Sequence, residues 1–525
     1  MKIRNLRMVV TQLAVVSLAG TLLVGVPAAN AATGAKCKLN TPSSISHCDS
    51  ITVALVGKVV SFDPLSSART QNQNYITKYL IQGALWRINS SGRPVFDLVA
   101  SRKVSTNGLV WTIKLKTGLK YSDGVTPVQA DDAVYMWELF KSGGVPPVLS
   151  AVKNITATDT STIVITLNTR FDDLPYSLAS LYFFMNPRSK AEGNAKYWDN
   201  PLSAGPYEIK SWTPGSDEIT LKVNPNYWAK PAVDEIKFLA IPDATTRVVA
   251  LRQGTIDYAF DLPAAVARAQ LSDKKTFRGI PVQLQGTFSL DFNLRTMTAG
   301  KPWRDAKVRQ ALSYAIDRKR MGDVAFFGDV KPSCTVVWQS SRLATCMRPG
   351  GIAQDLDKAK ELLAEAGYSK GFDINIMVMT RAGWPDAASL IAADWKKIGV
   401  NATVVPQADA VGVAALTSGA YDVQFIGGTG AIPTQLLRTY YGSTGALTVW
   451  TGAGSNDALL NKIDTSPVSQ KKALLAQVEL AIWNESAHIP LGQRAVYGAT
   501  RLPANIFQNV AGNDNYYVKQ TPPLR

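Results

Sequence analysis

Between Asp373 and Val405 the chain switches between two hydrophobic periodicities, and few layer arrangements can hold both. Asp373–Met379 reads DINIMVM, a short apolar run of strand length. Ala387, Leu390, Ile391 and Trp395 then recur on one helical face, and Asn401–Val405 (NATVV) is strand-like again. A strand, a helix and a second strand in quick succession close only by a crossover, so the two strands must be parallel neighbours with the helix packed on their sheet. The fold class is therefore α/β. Two further helical faces precede this unit: Val308, Ala311, Leu312, Ala315 and Ile316 within DAKVRQALSYAIDR, and Ala359, Leu362, Leu363 and Ala366 before Gly367, a natural stop.

Earlier in the chain the texture is antiparallel. Tyr207–Trp212 and the alternating Ile219, Leu221 and Val223 flank Pro214-Gly215-Ser216, which predicts a hairpin. Gly205-Pro206 forms a rigid corner before it, and Asn224-Pro225-Asn226 ends the returning strand. Neither corner carries a catalytic group.

With 525 residues, 46% of them hydrophobic, the chain can bury cores for two or three domains. Lys2, Arg4 and Arg7, the apolar stretch Met8–Val26 and the small-residue site Ala29-Asn30-Ala31 read as a secretory signal cut after Ala31. Lys36 before Cys37 does not fit a lipid-attachment box, so the mature chain is expected to be a soluble extracytoplasmic protein, at the cell surface or in a periplasm, and not a lipoprotein. The 56 basic and 40 acidic residues give a net charge of +16, or +13 on the mature chain without Lys2, Arg4 and Arg7. The basic residues are dispersed, which argues for a solvated surface and against nucleic-acid binding. Cys37 with Cys48 and Cys334 with Cys346 are the pairings cheapest to close among the three possible, and neither has metal-ligand spacing.

Six segments in chain order carry a resemblance: SFDPL (61–65), GALWRINSSGRPVFDLVAS (83–101), WTIKLKTGLKYSDGVTPVQADDAVY (111–135), SAGPYEIKSW (203–212), NPNYW (224–228) and VRQALSYAIDR (308–318). Together they resemble the extracytoplasmic solute-binding proteins of ABC importers, in the large family that includes oligopeptide-, dipeptide- and nickel-binding members. The resemblance implies a two-lobed clamshell of the periplasmic-binding-protein type (type II), with an extra subdomain in the first lobe. Residues 1–31 would be the signal peptide, 32–285 the first lobe with its insertion at about 66–200, 286–488 the second lobe, and 489–525 the return to the first. The chain would cross between lobes near Gln285–Asp291 and Ala487–Gln493. A monomer would capture a peptide or other small solute by lobe closure and pass it to a membrane permease, with no cofactor, metal or catalytic residue.

The residue inventory agrees with binding over catalysis. His47 and His488 are the only histidines, too few for most Ser-His, Cys-His or zinc sites, and H-E-x-x-H does not occur, which leaves a secreted hydrolase without its machinery. His488 reads as structural, Asp131 and Asp132 as helix caps, and Gly427–Gly430 (GGTG) as a tight loop without the lysine of a phosphate cradle. Peptide-binding relatives place Gly-Trp-x-x-Asp after a Tyr-Asp strand to meet the peptide ammonium. Here Tyr421-Asp422 leads to VQFIGGTGAIPTQ, with neither the Trp nor that Asp, which keeps a non-peptide solute such as an oligosaccharide as the alternative. The expected cleft residues are Asn74, Tyr75, Phe288, Arg381, Trp384, Gly428, Thr429 and Trp450, placed on loops after strands or beside the crossings.

Overall fold

The computed structural model describes residues 37–521 apart from 42–43, 67–78, 89–93, 144–148, 150, 180–182, 263, 274–276, 295–299, 337–344, 382, 430–436, 438–440, 443–453, 467, 503–506, 510–515 and 519. The expected signal peptide, Asn74, Tyr75, Gly430 and Trp450 lie outside these residues. Among the described residues no helix is long and apolar enough to cross a membrane.

Twelve described strands build the main sheet: β1 (Cys37–Thr41), β2 (Ser44–Leu55), β3 (Tyr207–Trp212), β4 (Glu218–Val223), β5 (Val233–Ala240), β6 (Tyr258–Leu262), β7 (Arg278–Phe292), β8 (Val330–Pro332), β9 (Asp373–Met379), β10 (Asn401–Gln407), β11 (Val423–Thr429) and β12 (His488–Thr500). Their order is β10-β9-β11-β7-β12-β6-β2-β5-β4-β3, with β1 on β2 and β8 on β12. Two long antiparallel strands sit in the middle. β7 and β12 pair from Arg278↔Thr500 to Asp291↔His488, with register shifts between Val282 and Gly286 and between Phe288 and Ser289. β7 meets β11 with its last seven residues, while β12 meets β6 with its own last residues, so these two strands join the two halves of the sheet.

The crossover unit forms as its periodicity requires. β9 runs parallel to β10 and β11; α4 (Leu356–Glu365) precedes β9, and α5 (Trp384–Lys396) connects β9 to β10. Ile374, Ile376 and Val378 face inward, against Ala387, Ile391 and Trp395 of α5 in one apolar core. The segment VRQALSYAIDR departs from a single helix. α2 (Ala306–Tyr314), capped by Asp305, ends first, and α3 (Arg318–Ala325) starts afresh because the Asp317 side chain accepts from Arg320 N. A capping carboxylate inside a helical pattern offers the backbone a new start, so the local bond prevails over the continuous apolar face.

A separate four-stranded antiparallel sheet, ordered Val99–Val104, Val110–Leu115, Thr162–Leu167, Val152–Asp159, packs with α1 (Ala130–Gly143) around its own core. Asp132 in the first turn of α1 reaches back to Gln129 N at 2.9 Å, as a capping-box acid does, and also accepts from Tyr121 Oη and Arg188 N. Burial raises its carboxyl to about 6 even though these three donors pull it down. Asp131 instead pairs with Arg188 at 3.1 Å, so the two acids do separate structural work.

The corners that bracket the β3–β4 hairpin are joints between the main sheet and this second sheet. Gly205 N donates to Ile81 O at 2.8 Å, and a Cβ on Gly205 would sit 2.6 Å from that oxygen, so only glycine lets the two backbones touch. Asn224 Nδ2 donates to Gly205 O at 2.9 Å and its Oδ1 accepts from Asn226 N at 3.0 Å, which locks one corner onto the other. Beyond it, Tyr227 Oη and Trp228 Nε1 both donate to the buried Asp97 Oδ1, just before the strand Val99–Val104. Lys116 Nζ lies 3.5 Å from the Trp228 ring centroid, and burial draws its pKa down to about 8. The NPNYW segment is thus a mechanical tie.

Candidate ligand-binding site

Five of the expected cleft residues stand at one end of the half-sheet formed by β7, β9, β10 and β11. Arg381 follows the C-terminal end of β9, Gly428 and Thr429 end β11, and both glycine and threonine lie opposite Thr287 and Gly286 of β7. This is the carboxyl end of the parallel strands, where α/β sheets place their ligands.

The turn after β9 is tight. Arg381 N donates to Met379 O at 2.8 Å, Trp384 N donates to Arg381 O at 3.0 Å, and Gly383 has φ +77°. A Cβ at Gly383 would lie 2.5 Å from Ala325 O, so this glycine lets the α5 N-terminus seat against the end of α3. The Arg381 side chain is exposed, with its guanidinium carbon 4.8 Å from the Trp384 ring centroid. That is a cation–π distance, and it holds the fork over a fixed surface.

Beneath it is an aromatic cluster. Phe288 lies 4.9 Å from Phe326, 5.6 Å from Trp384 and 5.6 Å from Phe425, and Trp384 is 5.6 Å from Phe425. Phe288 and Trp384 are 5% and 7% exposed, so they are first of all core residues. Gly427 makes room for them: a Cβ there would stand 3.0 Å from both rings. Gly427, Gly428 and Thr429, expected as part of a tight loop, instead continue β11, and the first of these glycines admits two aromatic faces.

The sequence reading missed Phe326, Phe327 and Phe425. Phe327 is 67% exposed with φ +52°, an unusual backbone for a bulky residue, directly after Phe326. The pair FF in DVAFFGDV falls at the end of α3, where helical periodicity gives no cue. Phe425 lies within the apolar part of β11, where strand periodicity marks burial but not the ring it meets.

The remaining singled-out residues are structural. His488 Nδ1 is 2.8 Å from Asp291 Oδ1, both buried, at the last β7–β12 pair. Cys334 and Cys346 form a disulfide, Cys48 is disulfide-bonded, and Cys37 is the register partner of Cys48 across β1 and β2. Next to Cys334, Val336 N donates to the buried Glu479 at 3.1 Å, anchoring the base of that loop. A cavity of about 420 Å³ lies at the opposite end of the same half-sheet, among Asn293, Asn375, Tyr421 and Asp422. Asn375 Nδ2 donates to Asp422 Oδ2 at 3.1 Å, so the Tyr-Asp step is committed to a side-chain bond far from the Arg381 turn.

The family described as bacterial extracellular solute-binding proteins, family 5, middle region, matches residues 93–447. The chain belongs to this family. The glutathione-binding protein GsiB of Escherichia coli O1:K1 is 30% identical over 333 residues, 62% of this chain and 63% of GsiB. The matched part thus spans less than two thirds of that curated relative. Among solved structures, HbpA2 from Haemophilus parasuis superposes with a TM-score of 0.76 at 22% identity, over 90% of this chain and 100% of its own. The periplasmic binding protein DppA from Helicobacter pylori, solved with the peptide STSA, gives 0.74 at 20% identity, over 89% and 98%. At these identities the likeness is one of fold, and the fold is the two-lobed α/β architecture of periplasmic binding proteins expected from the motifs.

Proposed function

We propose that the chain is the extracytoplasmic substrate-binding component of an ABC importer, which captures a peptide or peptide-like solute by lobe closure and delivers it to the membrane permease without altering it. The observation that carries this reading is the pairing of β7 and β12, the two strands that join the halves of the main sheet, with the Arg381 turn beside them. Two strands form a bending joint, and a ligand touching both halves shifts the balance toward the closed state.

On this reading residues 32–285 form the first lobe with its insertion at about 66–200, residues 286–488 the second lobe, and 489–525 the return. Residues 1–31 are a signal removed on export, and the mature chain carries no lipid. Arg381 clamps a ligand carboxylate, Trp384 and Phe288 form the rigid floor under it, and Gly428 and Thr429 offer backbone groups at the end of β11. Asn74, Tyr75 and Trp450, outside the described residues, are the remaining candidates for ligand contact. GsiB's glutathione and DppA's peptide support a peptide-like ligand here, whereas the absent Trp and Asp after Asp422 point to an ammonium partner other than the usual one.

Tryptophan fluorescence tests this directly, because Trp384 lies at the site. Titration with glutathione and with the peptide STSA is expected to give a saturable one-site change with at least one of them, and chromatography to return that ligand intact. Hydrolysis of either ligand, or no change with both up to millimolar concentration, would overturn the reading.

A further inference from the structure

His47, Asp49 and Asp234 take no part in the proposed site, yet their donor atoms converge. We infer that they form a binding site for one divalent transition-metal ion of the class that accepts imidazole nitrogen and carboxylate oxygen together, Zn²⁺ being the simplest case. β2 and β5 are parallel with Val233 opposite Cys48 and Glu235 opposite Ser50, which sets Asp234 level with Asp49. His47 lies two residues before Asp49, so all three side chains project from one face of the sheet.

The distances suit an ion. His47 Nε2 is 3.1 Å from Asp234 Oδ2 and 3.6 Å from Asp49 Oδ1, and the three donor atoms all lie within 4.8 Å of one another. Zinc bonds of about 2.0–2.2 Å to such donors at tetrahedral angles put neighbouring donors roughly 3.4 Å apart, so only small side-chain movements separate this arrangement from a filled one. The His47, Asp49 and Asp234 side chains are 26%, 62% and 52% exposed, which leaves the fourth position to water. Two carboxylates and one imidazole also balance a double positive charge.

Charge pairing on the same sheet sets this trio apart. Glu208, Glu218 and Glu235 each face a lysine: Lys222 at 3.1 Å, Lys237 at 2.7 Å and Lys210. Asp49 and Asp234 have no lysine among the described residues, and both turn to the single imidazole of His47. Side-by-side carboxylates on adjacent strands repel, and a cation between them removes that penalty. The base is rigid, since Cys48 and Val233 are fully buried and Cys48 N donates to Ala232 O at 2.8 Å. Cys48 is disulfide-bonded, so imidazole and carboxylate alone set the metal preference.

Calorimetric titration of the full secreted chain with Zn²⁺ in metal-free buffer tests the site. The expected result is one site per chain, weakened at least ten-fold in His47→Gln and in Asp234→Asn, with Ca²⁺ binding far more weakly because it has no use for the imidazole. Zn²⁺ should raise the melting temperature of the parent chain and not of either variant, while the metal-free variants melt with the parent. Equal Zn²⁺ affinity in the parent and both variants, no binding by the parent at micromolar ion, or Ca²⁺ binding as tight as Zn²⁺ would overturn the inference.

Discussion

Replacing Asp291 with alanine is expected to lower the stability of the chain by about 3–5 kcal/mol. Asp291 is fully buried on β7, its Oδ1 accepts from Ser289 Oγ at 2.9 Å, and the same oxygen lies 2.8 Å from His488 Nδ1 on β12. The substitution removes the acceptor of Ser289 Oγ and the carboxylate that lies against the buried His488. Losing one partner of a buried pair costs far more than losing both. The position sharpens the effect, because Asp291↔His488 is the last pair of the two strands that join the halves of the sheet. Asp291→Asn keeps an acceptor and should cost less. Urea unfolding decides it: a loss below about 1 kcal/mol in Asp291→Ala would mean that the pair contributes nothing beyond its backbone ladder.

Arg381→Ala should weaken binding of a carboxylate ligand by about 2–5 kcal/mol, about thirty-fold or more in Kd. The planar guanidinium is held over Trp384, so little orientational freedom remains to be lost when it grips a carboxylate with two parallel bonds. Arg381→Lys keeps the charge and loses the fork, so it should recover only part of the loss. The Arg381 side chain is exposed, so its removal should cost the fold far less than it costs binding, with only a small shift in the melting temperature. Calorimetry with STSA separates the outcomes. Unchanged affinity would assign Arg381 to the solvated surface and favour a neutral solute.

Where one periodicity or one turn decided the outcome, the fold was legible in the sequence. The β3–β4 hairpin, the β9–α5–β10 crossover, and the helix ended by Gly367 all follow from local pattern and turn chemistry. What escaped was decided by partners distant in the chain. Asp97 receives Tyr227 and Trp228 from 130 and 131 residues away, and nothing local to NPNYW names that acceptor. Asp234 meets His47 only because β2 and β5 are neighbours in the sheet. At the candidate site, Arg381 and Trp384 were readable because they follow a strand in a parallel unit, whereas Phe326 and Phe425 join them only through packing. The family motifs carried the two-lobed architecture, which no single segment encodes.

Native mass spectrometry reads out directly whether this chain carries a small solute outside the cytoplasm. The secreted chain should be sprayed under native and denaturing conditions, before and after incubation with a mixture of glutathione and short peptides. One bound species of peptide-like mass per chain is expected, retained in the native spectrum, released intact on denaturation, and lost from Arg381→Ala at the same concentration. A native mass equal to the denatured mass, with no addition even from the mixture, would contradict it.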